Sequence, residues 1–257
     1  MNARTYWIAF QSIITKEVHR FTRIWVQTIV PPAITMTLYF VIFGNIIGSR
    51  VGVMAGVGYM QFIVPGLIMM AVITNSYSNV ASSFFSAKFQ RNIEEMLVAP
   101  IPNYVIILGF VGGGMARGLC VGLLVSLVSL FFVPFHVHSL VVVVTTVLFT
   151  SAVFSLGGLI NAIYAQSFDD ISIVPTFVLT PLTYLGGVFY SITLLPDFWR
   201  GVSHFNPVVY MVSAFRFGFL GIKDVSLWFS FGVLSAFVVG LYIWAHLLIK
   251  RGYGLRS

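Results

Sequence analysis

Charge is scarce in this sequence. Of 257 residues, 8% are Asp, Glu, Lys or Arg, against roughly 25% in an ordinary globular chain. So few charges cannot cover a water-soluble fold of this length, which excludes a soluble enzyme and a disordered tail. Cysteine is almost absent. Cys120 stands alone inside an apolar run, so no intrachain disulfide can form and a secreted disulfide scaffold is excluded. The phosphate-cradling pattern G-x-x-x-x-G-K-[ST] is missing as well; the densest glycine run, GFVGGGMARG from Gly109, has no Lys-Ser/Thr and falls within an apolar stretch. Any ATP chemistry then belongs to another polypeptide. What the sequence does have is 58% hydrophobic and 16% aromatic residues, with a mean hydropathy of +0.97. That is the composition of an all-α polytopic membrane protein.

A helix crosses roughly 30 Å of hydrocarbon with about 20 apolar residues. Charge-free runs predict six spans, at about 24–47, 60–86, 105–132, 139–165, 171–190 and 226–249. They are read as helices because an open strand cannot be hydrogen-bonded in lipid, and the period-2 alternation of a membrane barrel is absent. The region 194–221 is too apolar for a solvated loop, yet Pro196, Asp197, Arg200, His204, Pro207 and Arg216 interrupt it. Its best helix has Asn206 as N-cap and Pro207 at the first position and ends before Gly221. At about 21 Å it falls short of a span, so the region reads as short re-entrant helices in the outer leaflet, with a seventh span as the alternative.

Positive charge sets the orientation. Arg4, Lys16, Arg20, Arg23, Lys88, Arg91, Lys250, Arg251 and Arg256 collect on one side, while Arg50, Arg200, Arg216 and Lys223 collect on the other. Both termini are therefore expected in the cytoplasm. The net charge of +7 sits beside apolar spans and points to anionic lipid, not nucleic acid. No cleavable signal peptide is read, because the first apolar run is too long and follows a charged segment. That segment, 5–23, carries Trp7, Phe10, Ile14, Val18 and Phe21 on one helical face, with Lys16, Glu17, His19, Arg20 and Arg23 elsewhere. This is the pattern of a helix lying in the membrane interface.

Several constellations bear on function. The loop KFQRNIEEMLVAPIPN reads as an amphipathic helix over about 88–99, stopped by Pro100 and Pro102, with Phe89, Ile93, Met96 and Leu97 apolar beside Lys88, Arg91, Glu94 and Glu95. It is either a solvated loop helix or a receiver of force from a soluble partner. Asn75, Asn79, Ser82 and Ser86 form a polar stripe on the second span; Thr176, Thr180 and Thr183 repeat at similar spacing on the fifth, between Pro175 and Pro181. Such groups should face inward, either lining a translocation path at a dimer interface or hydrogen-bonding between helices. Arg117 lies inside the third span, where charge is costly. It reads as a cationic site for an anionic head group, or as a side chain that snorkels or pairs with a carboxylate. Gly109, Gly113, Gly118 and Gly122 follow small-xxx-small spacing and read as helix packing. Asp169 and Asp170 make a weak metal set without a third ligand, and Asp170 is expected to cap the fifth span. His136, His138, His204 and His246 do not pair at one depth, so haem ligation is not supported.

The chain resembles the permeases of the ABC type-2 exporter family over nearly its whole length. Three stretches carry the likeness in order: ITKEVHRFTRIWVQTIVPPAITMTLYFVIFG, with Glu17 and Arg23; RNIEEMLVAPIP, similar to the family's cytoplasmic coupling helix; and PTFVLTPLTYLGGVFYSITLLPDFWRGVSHFNPVVYMVSAFR, with Asn206-Pro207. Arg117 matches no position of the family pattern. The resemblance implies six spans, a homodimer of permeases in the bacterial inner membrane, and two copies of a separate subunit that binds ATP and Mg. This chain itself would hold no cofactor and do no catalysis. Phe89, Arg91, Glu94, Glu95 and Leu97 would couple to the ATPase. The implied activity is export of an amphipathic or lipid-linked compound such as a glycan, lipo-oligosaccharide or drug. The rival classes are a proton-coupled secondary transporter and a membrane-embedded enzyme or haem protein.

Overall fold

The structure is a computed structural model that describes residues 3–134, 137–222 and 224–255. His136, Lys223 and Arg256, which entered the ligand and topology readings, lie outside them. The described chain is helical apart from a two-stranded hairpin, β1 (Val53–Met54) and β2 (Val57–Gly58). Five helices are long and apolar enough to cross a membrane: α2 (Trp25–Val51), α3 (Tyr59–Phe89), α5 (Asn103–Ser129), α6 (Leu140–Tyr164) and α10 (Leu227–Arg251). Preceding them is α1 (Ala3–Arg23), and α4 (Asn92–Val98) lies between α3 and α5.

The remaining apolar segment expected to span, 171–190, is shorter and broken. It forms α7 (168–185), built from Phe168–Val174, a π-helical turn over Pro175–Leu179, and Thr180–Leu185. Pro175 and Pro181 have no N–H to give, so regular α-helical bonding cannot run through this stretch. Thr180 answers part of the deficit: its backbone N–H reaches Pro175 O, and its Oγ1 donates to the same oxygen at 3.0 Å. Its start is capped by Ser167, not by Asp170. Ser167 Oγ accepts from Asp170 N while Asp170 Oδ2 accepts from Ser167 N, a reciprocal capping box. Beyond it, α8 (Asp197–His204) and α9 (Pro207–Leu220) follow a short turn. α9 has the expected bounds. Asn206 Oδ1 accepts from Val208 N at 2.9 Å, and Gly221 ends the helix at φ +72°, a conformation that favours glycine.

α3 is the spine of the bundle, buried along most of its length. Its neighbours approach closely because they present glycine. A Cβ on Gly158 of α6 would lie 2.5 Å from Tyr77 O, and one on Gly122 of α5 would lie 2.7 Å from Val72 Cγ2. The glycines of α5 divide among its neighbours. Gly109 and Gly113 face Ile13 and Glu17 of α1, Gly118 and Gly122 face α3, and Gly114 meets both Val80 of α3 and Ser155 of α6. The step from Gly113 to Gly114 is thus the change of face.

α1 packs along one edge of the face its hydrophobic pattern suggests: Phe10, Ile14 and Val18 are half-buried. Ile13, Glu17 and Phe21 are buried while Trp7 and Ile8 are exposed. Glu17, assigned to the polar side from the sequence, faces inward because Gly113 leaves room for its aliphatic stem. Arg216 also departs from expectation. Counted from the sequence among the charges of one side, it is 1% exposed. Its Nη1 donates to Asp224 Oδ2 at 2.8 Å and its Nη2 to Gly187 O at 2.6 Å, with the guanidinium 3.8 Å from the Phe62 ring centroid. Asp224 Oδ1 accepts from Ser191 Oγ, and Asn206 Nδ2 donates to Leu182 O. The chain after α7 is thereby tied to α3, α7 and α9.

Two outcomes follow for thermal unfolding in detergent. Gly158→Ala drives a methyl into the α3 backbone and lowers stability by about 1–3 kcal/mol, whereas Gly240→Ala, with open space at its Cβ position, leaves it unchanged or higher. Arg216→Ala strands a buried carboxylate and costs about 3–5 kcal/mol, an effect that removing Asp224 as well partly reverses.

Candidate functional site

Two groups of residues outside the apolar packing have the chemistry of a working site. The first surrounds α4. Helix α3 continues through Lys88 and Phe89, so these two residues, expected at the start of the loop helix, end the spine instead. Arg91 then takes a left-handed conformation at φ 63°, which breaks the helix, and α4 starts at Asn92. It stops when Ala99 turns extended ahead of Pro100. Ile93 is buried and anchors α4; Glu94 and Leu97 are half-buried, and Arg91 and Glu95 are exposed. Phe89 and Val98 are 65% and 87% exposed. Val98 was not singled out from the sequence, because one apolar residue in an amphipathic turn carries no signal until its face is known.

The base of this group is fixed. Lys88 Nζ donates to Ile163 O and Ala165 O at 2.7 Å each, closing the carbonyl end of α6 where a cation is favoured. Phe89 packs edge-on against Phe168 at 5.4 Å. Asp170, just ahead of the fifth apolar segment, is held below its ordinary carboxylate range, chiefly by the Gln166 N–H and then by the hydroxyl and N–H of Ser167, with Lys88 adding to the effect.

The second group is a ladder of polar side chains along α3. Arg117 Nη2 donates to Asn75 Oδ1 at 3.1 Å and to Thr28 O at 3.3 Å. The partner is therefore an amide and a backbone carbonyl; no carboxylate pairs with Arg117 among the described residues. One turn along, Arg20 Nη2 donates to Asn79 O and Oδ1, both at 2.9 Å. Arg20 Nε lies 3.6 Å from Glu17 Oε2, and Glu17 Oε1 accepts from Ser83 Oγ at 2.6 Å. Glu17, Asn79 and Ser83 are buried; Oε1 of the carboxylate is hydrogen-bonded, whereas Oε2 has only the ion-pair approach of Arg20. The ladder joins α1, the start of α2, α3 and α5 within one chain.

The other polar residues singled out from the sequence lie elsewhere. Ser82 is half-buried and donates to Ser78 O on its own helix. Thr176 and Thr180 are exposed on the outer surface of α7, and Thr183 is buried against its own helix, donating to Thr180 O. Asn75 and Asn79 therefore do not share a surface with Thr176 and Thr180. Glu17, Arg20 and Ser83 were missed as ladder members. The spacing of Glu17 to Arg20 and of Asn75, Asn79 and Ser83 is helical, but which helix each stripe meets is a tertiary fact. Among the described residues no cluster of three or more His, Cys, Asp or Glu could hold a metal ion. His138 packs edge-on against Phe217 at 5.1 Å.

The comparisons with known proteins agree with this architecture. The model of the ABC-2 type transporter family matches residues 8–220. The chain is 69% identical over 252 residues to the inner membrane transport permease YadH of Escherichia coli K12, covering 98% of each chain. It is 23% identical over 215 residues to nodulation protein J of Rhizobium leguminosarum bv. viciae, covering 83% of each, and 22% identical over 217 residues to nodulation protein J of Neorhizobium galegae, covering 83% of this chain and 82% of that one. The span of the match includes α1, the ladder, α4 and the Asn206-Pro207 element, and on that ground the chain belongs to the ABC-2 type transporter family as a membrane permease.

Proposed function

We propose that this chain is the membrane half of an ATP-driven exporter of the bacterial inner membrane, with both termini in the cytoplasm. In this reading α7 completes a sixth, broken span, and α8 and α9 dip into the outer leaflet without crossing it. A separate subunit binds ATP and Mg, and two copies of it work with a homodimer of permeases. The family match favours this over a proton-coupled transporter or a membrane enzyme. Burial of Arg216 also removes a charge from the outer side, which sharpens the positive-inside asymmetry.

The observation that carries the reading is the attachment of α4. It leaves the end of the most enclosed helix through one left-handed residue and is anchored by Ile93, and it presents Glu95, Val98 and Phe89 outward. Binding energy from a soluble partner applied there bears directly on α3 and, through the Glu17–Arg20–Asn79 ladder, on α1. Phe89, Arg91, Glu94, Glu95 and Leu97 make up the coupling surface. A partner that contacts it differently in two nucleotide states shifts the balance of two membrane states.

The substrate is an amphipathic or lipid-linked compound. Thr176 and Thr180, hydroxyl-bearing and outward on α7, line the path where a second permease would face the first, with Thr183 below them. Asn75, Asn79 and Arg117 act on that path indirectly, by holding α1, α3 and α5 in register.

The test is charge reversal at the coupling surface. In proteoliposomes containing the permease and its ATP-binding partner, Glu94→Lys with Glu95→Lys lowers substrate export per ATP hydrolysed by roughly tenfold or more, equivalent to at least about 1.4 kcal/mol of lost coupling. Insertion stays at the parental level. Unchanged coupling in that double variant would remove α4 from the mechanism.

A further inference from the structure

The first span begins with a break. Ile24 and Ile29 both sit at φ −111°, away from the helical value of about −63°, and the single turn Trp25–Thr28 lies between them. Pro31 and Pro32 follow. Neither has an N–H, so the carbonyls of Gln27 and Thr28, four residues earlier, lose their helical donors. Gln27 is exposed, so water or lipid headgroups can answer its carbonyl. Thr28 is 5% exposed. The positions from which its own helix could serve Thr28 O are all closed: Pro31 and Pro32 have nothing to give, and Ala33 N donates to Ile29 O at 3.4 Å. A buried carbonyl left in that condition is unfavourable.

Arg117 of α5 supplies the missing donor. Its Nη2 lies 3.3 Å from Thr28 O and 3.1 Å from Asn75 Oδ1. The Asn75 amide is itself fixed, because its Nδ2 donates to Ala71 O at 2.9 Å, which leaves Oδ1 as the acceptor turned to the guanidinium. One side chain thus ties the break in α2 to the enclosed face of α3. Thr28 also closes the corner locally, its Oγ1 donating to Phe21 O at 2.8 Å, but that bond joins α2 to the end of α1 and not to α3 or α5. Beyond Thr28, α2 has few anchors. Trp25, Val26, Ile34 and Leu38 are exposed, and the next buried side chains are Met36 and Phe40, roughly two and three turns further on.

We propose that Arg117 is a positioning residue: it stands in for the donors that Pro31 and Pro32 remove, and so fixes the start of the first span against α3 and α5. This gives a charged side chain inside the third span a reason to be there despite its cost. A residue that served only to join α3 and α5 would need Asn75 alone; the second acceptor is the carbonyl that the prolines expose. α1 is held separately, by Glu17 and Arg20 on Ser83 and Asn79, so loss of Arg117 frees α2 more than α1. The consequence for export rests on the function proposed above; the geometric claim does not.

The test is a distance distribution between α2 and α5, read by double electron–electron resonance on the full-length permease in detergent, without nucleotide, substrate or partner. Spin labels sit on Ile42→Cys and on the native Cys120, both exposed positions, and labelled chain is diluted with unlabelled chain so that distances within one copy are read. A reference pair, Ser12→Cys with Cys120, reports α1 against α5. Arg117→Gln broadens the α2–α5 distribution and leaves the reference pair as in the parent. Adding Pro32→Ala, which returns an N–H four residues after Thr28, narrows the broadened distribution again, whether or not its mean moves. An unchanged distribution in Arg117→Gln, equal broadening of the reference pair, or no narrowing with Pro32→Ala would overturn the proposal, the last by leaving Arg117 to the Asn75 contact alone. If Arg117→Gln does not accumulate in the membrane, accumulation becomes the readout: recovery with Pro32→Ala supports the stand-in role, and its absence overturns it. In proteoliposomes with the ATP-binding partner, Arg117→Gln slows export; a parental rate beside a broadened distribution would overturn that consequence alone.

Discussion

In hydrocarbon a polar atom must find its partner inside the protein, and α3 is where this chain gathers those partners. Asn75 holds Arg117, Asn79 holds Arg20, and Ser83 holds Glu17. The first contact joins α3 to α5, and the other two join it to α1. Losing one leaves a buried or half-buried charge without its polar partner, so the relative positions of α1, α3 and α5 are set more sharply than apolar packing alone would set them. Glycine makes the arrangement possible. Only where Gly113, Gly114 and Gly118 remove the side chain can the helices come close enough for these short polar groups to meet.

The same spine links the two ends of the molecule. At one end it passes through a single left-handed residue into α4 and its outward Glu95 and Val98. At the other, Phe62 lies under the Arg216 guanidinium, whose partner Asp224 is also held by Ser191. One continuous helix thus contacts both α4 and the region between α7 and α10. What yields is elsewhere: α7 and α2 both contain π-helical turns, at Pro175–Leu179 and Phe40–Ile47. Their outer faces are exposed and weakly held by the rest of the bundle.

How legible this was from sequence depends on how local the cause is. The spans at α3, α5, α6 and α10 follow from apolar run length, and α9 follows from Asn206-Pro207 at its start and Gly221 at its end, all near-neighbour effects. The start of α4 was misplaced because Lys88 and Phe89 are as compatible with the end of one helix as with the beginning of the next. Only the left-handed turn at Arg91 decides between them. Ser167 and not Asp170 caps α7, although both residue types are good caps, because the capping box needs a reciprocal partner three residues on.

Composition and run length alone determined that the chain is a helical membrane protein, that the phosphate-cradling motif is missing from its sequence, and which stretches are apolar enough to cross. Those properties are sums over many residues, so single contacts cannot change them. The fate of individual polar side chains was decided only in three dimensions. Glu17 reads as a charge off the apolar face of its helix and Arg216 as a charge of the outer side, and both are buried; Asn75 and Thr176 read as lining one path or hydrogen-bonding between helices, and they face different neighbours. A helical period says which residues share a face. What that face meets depends on where the glycines of the next helix allow it to come close.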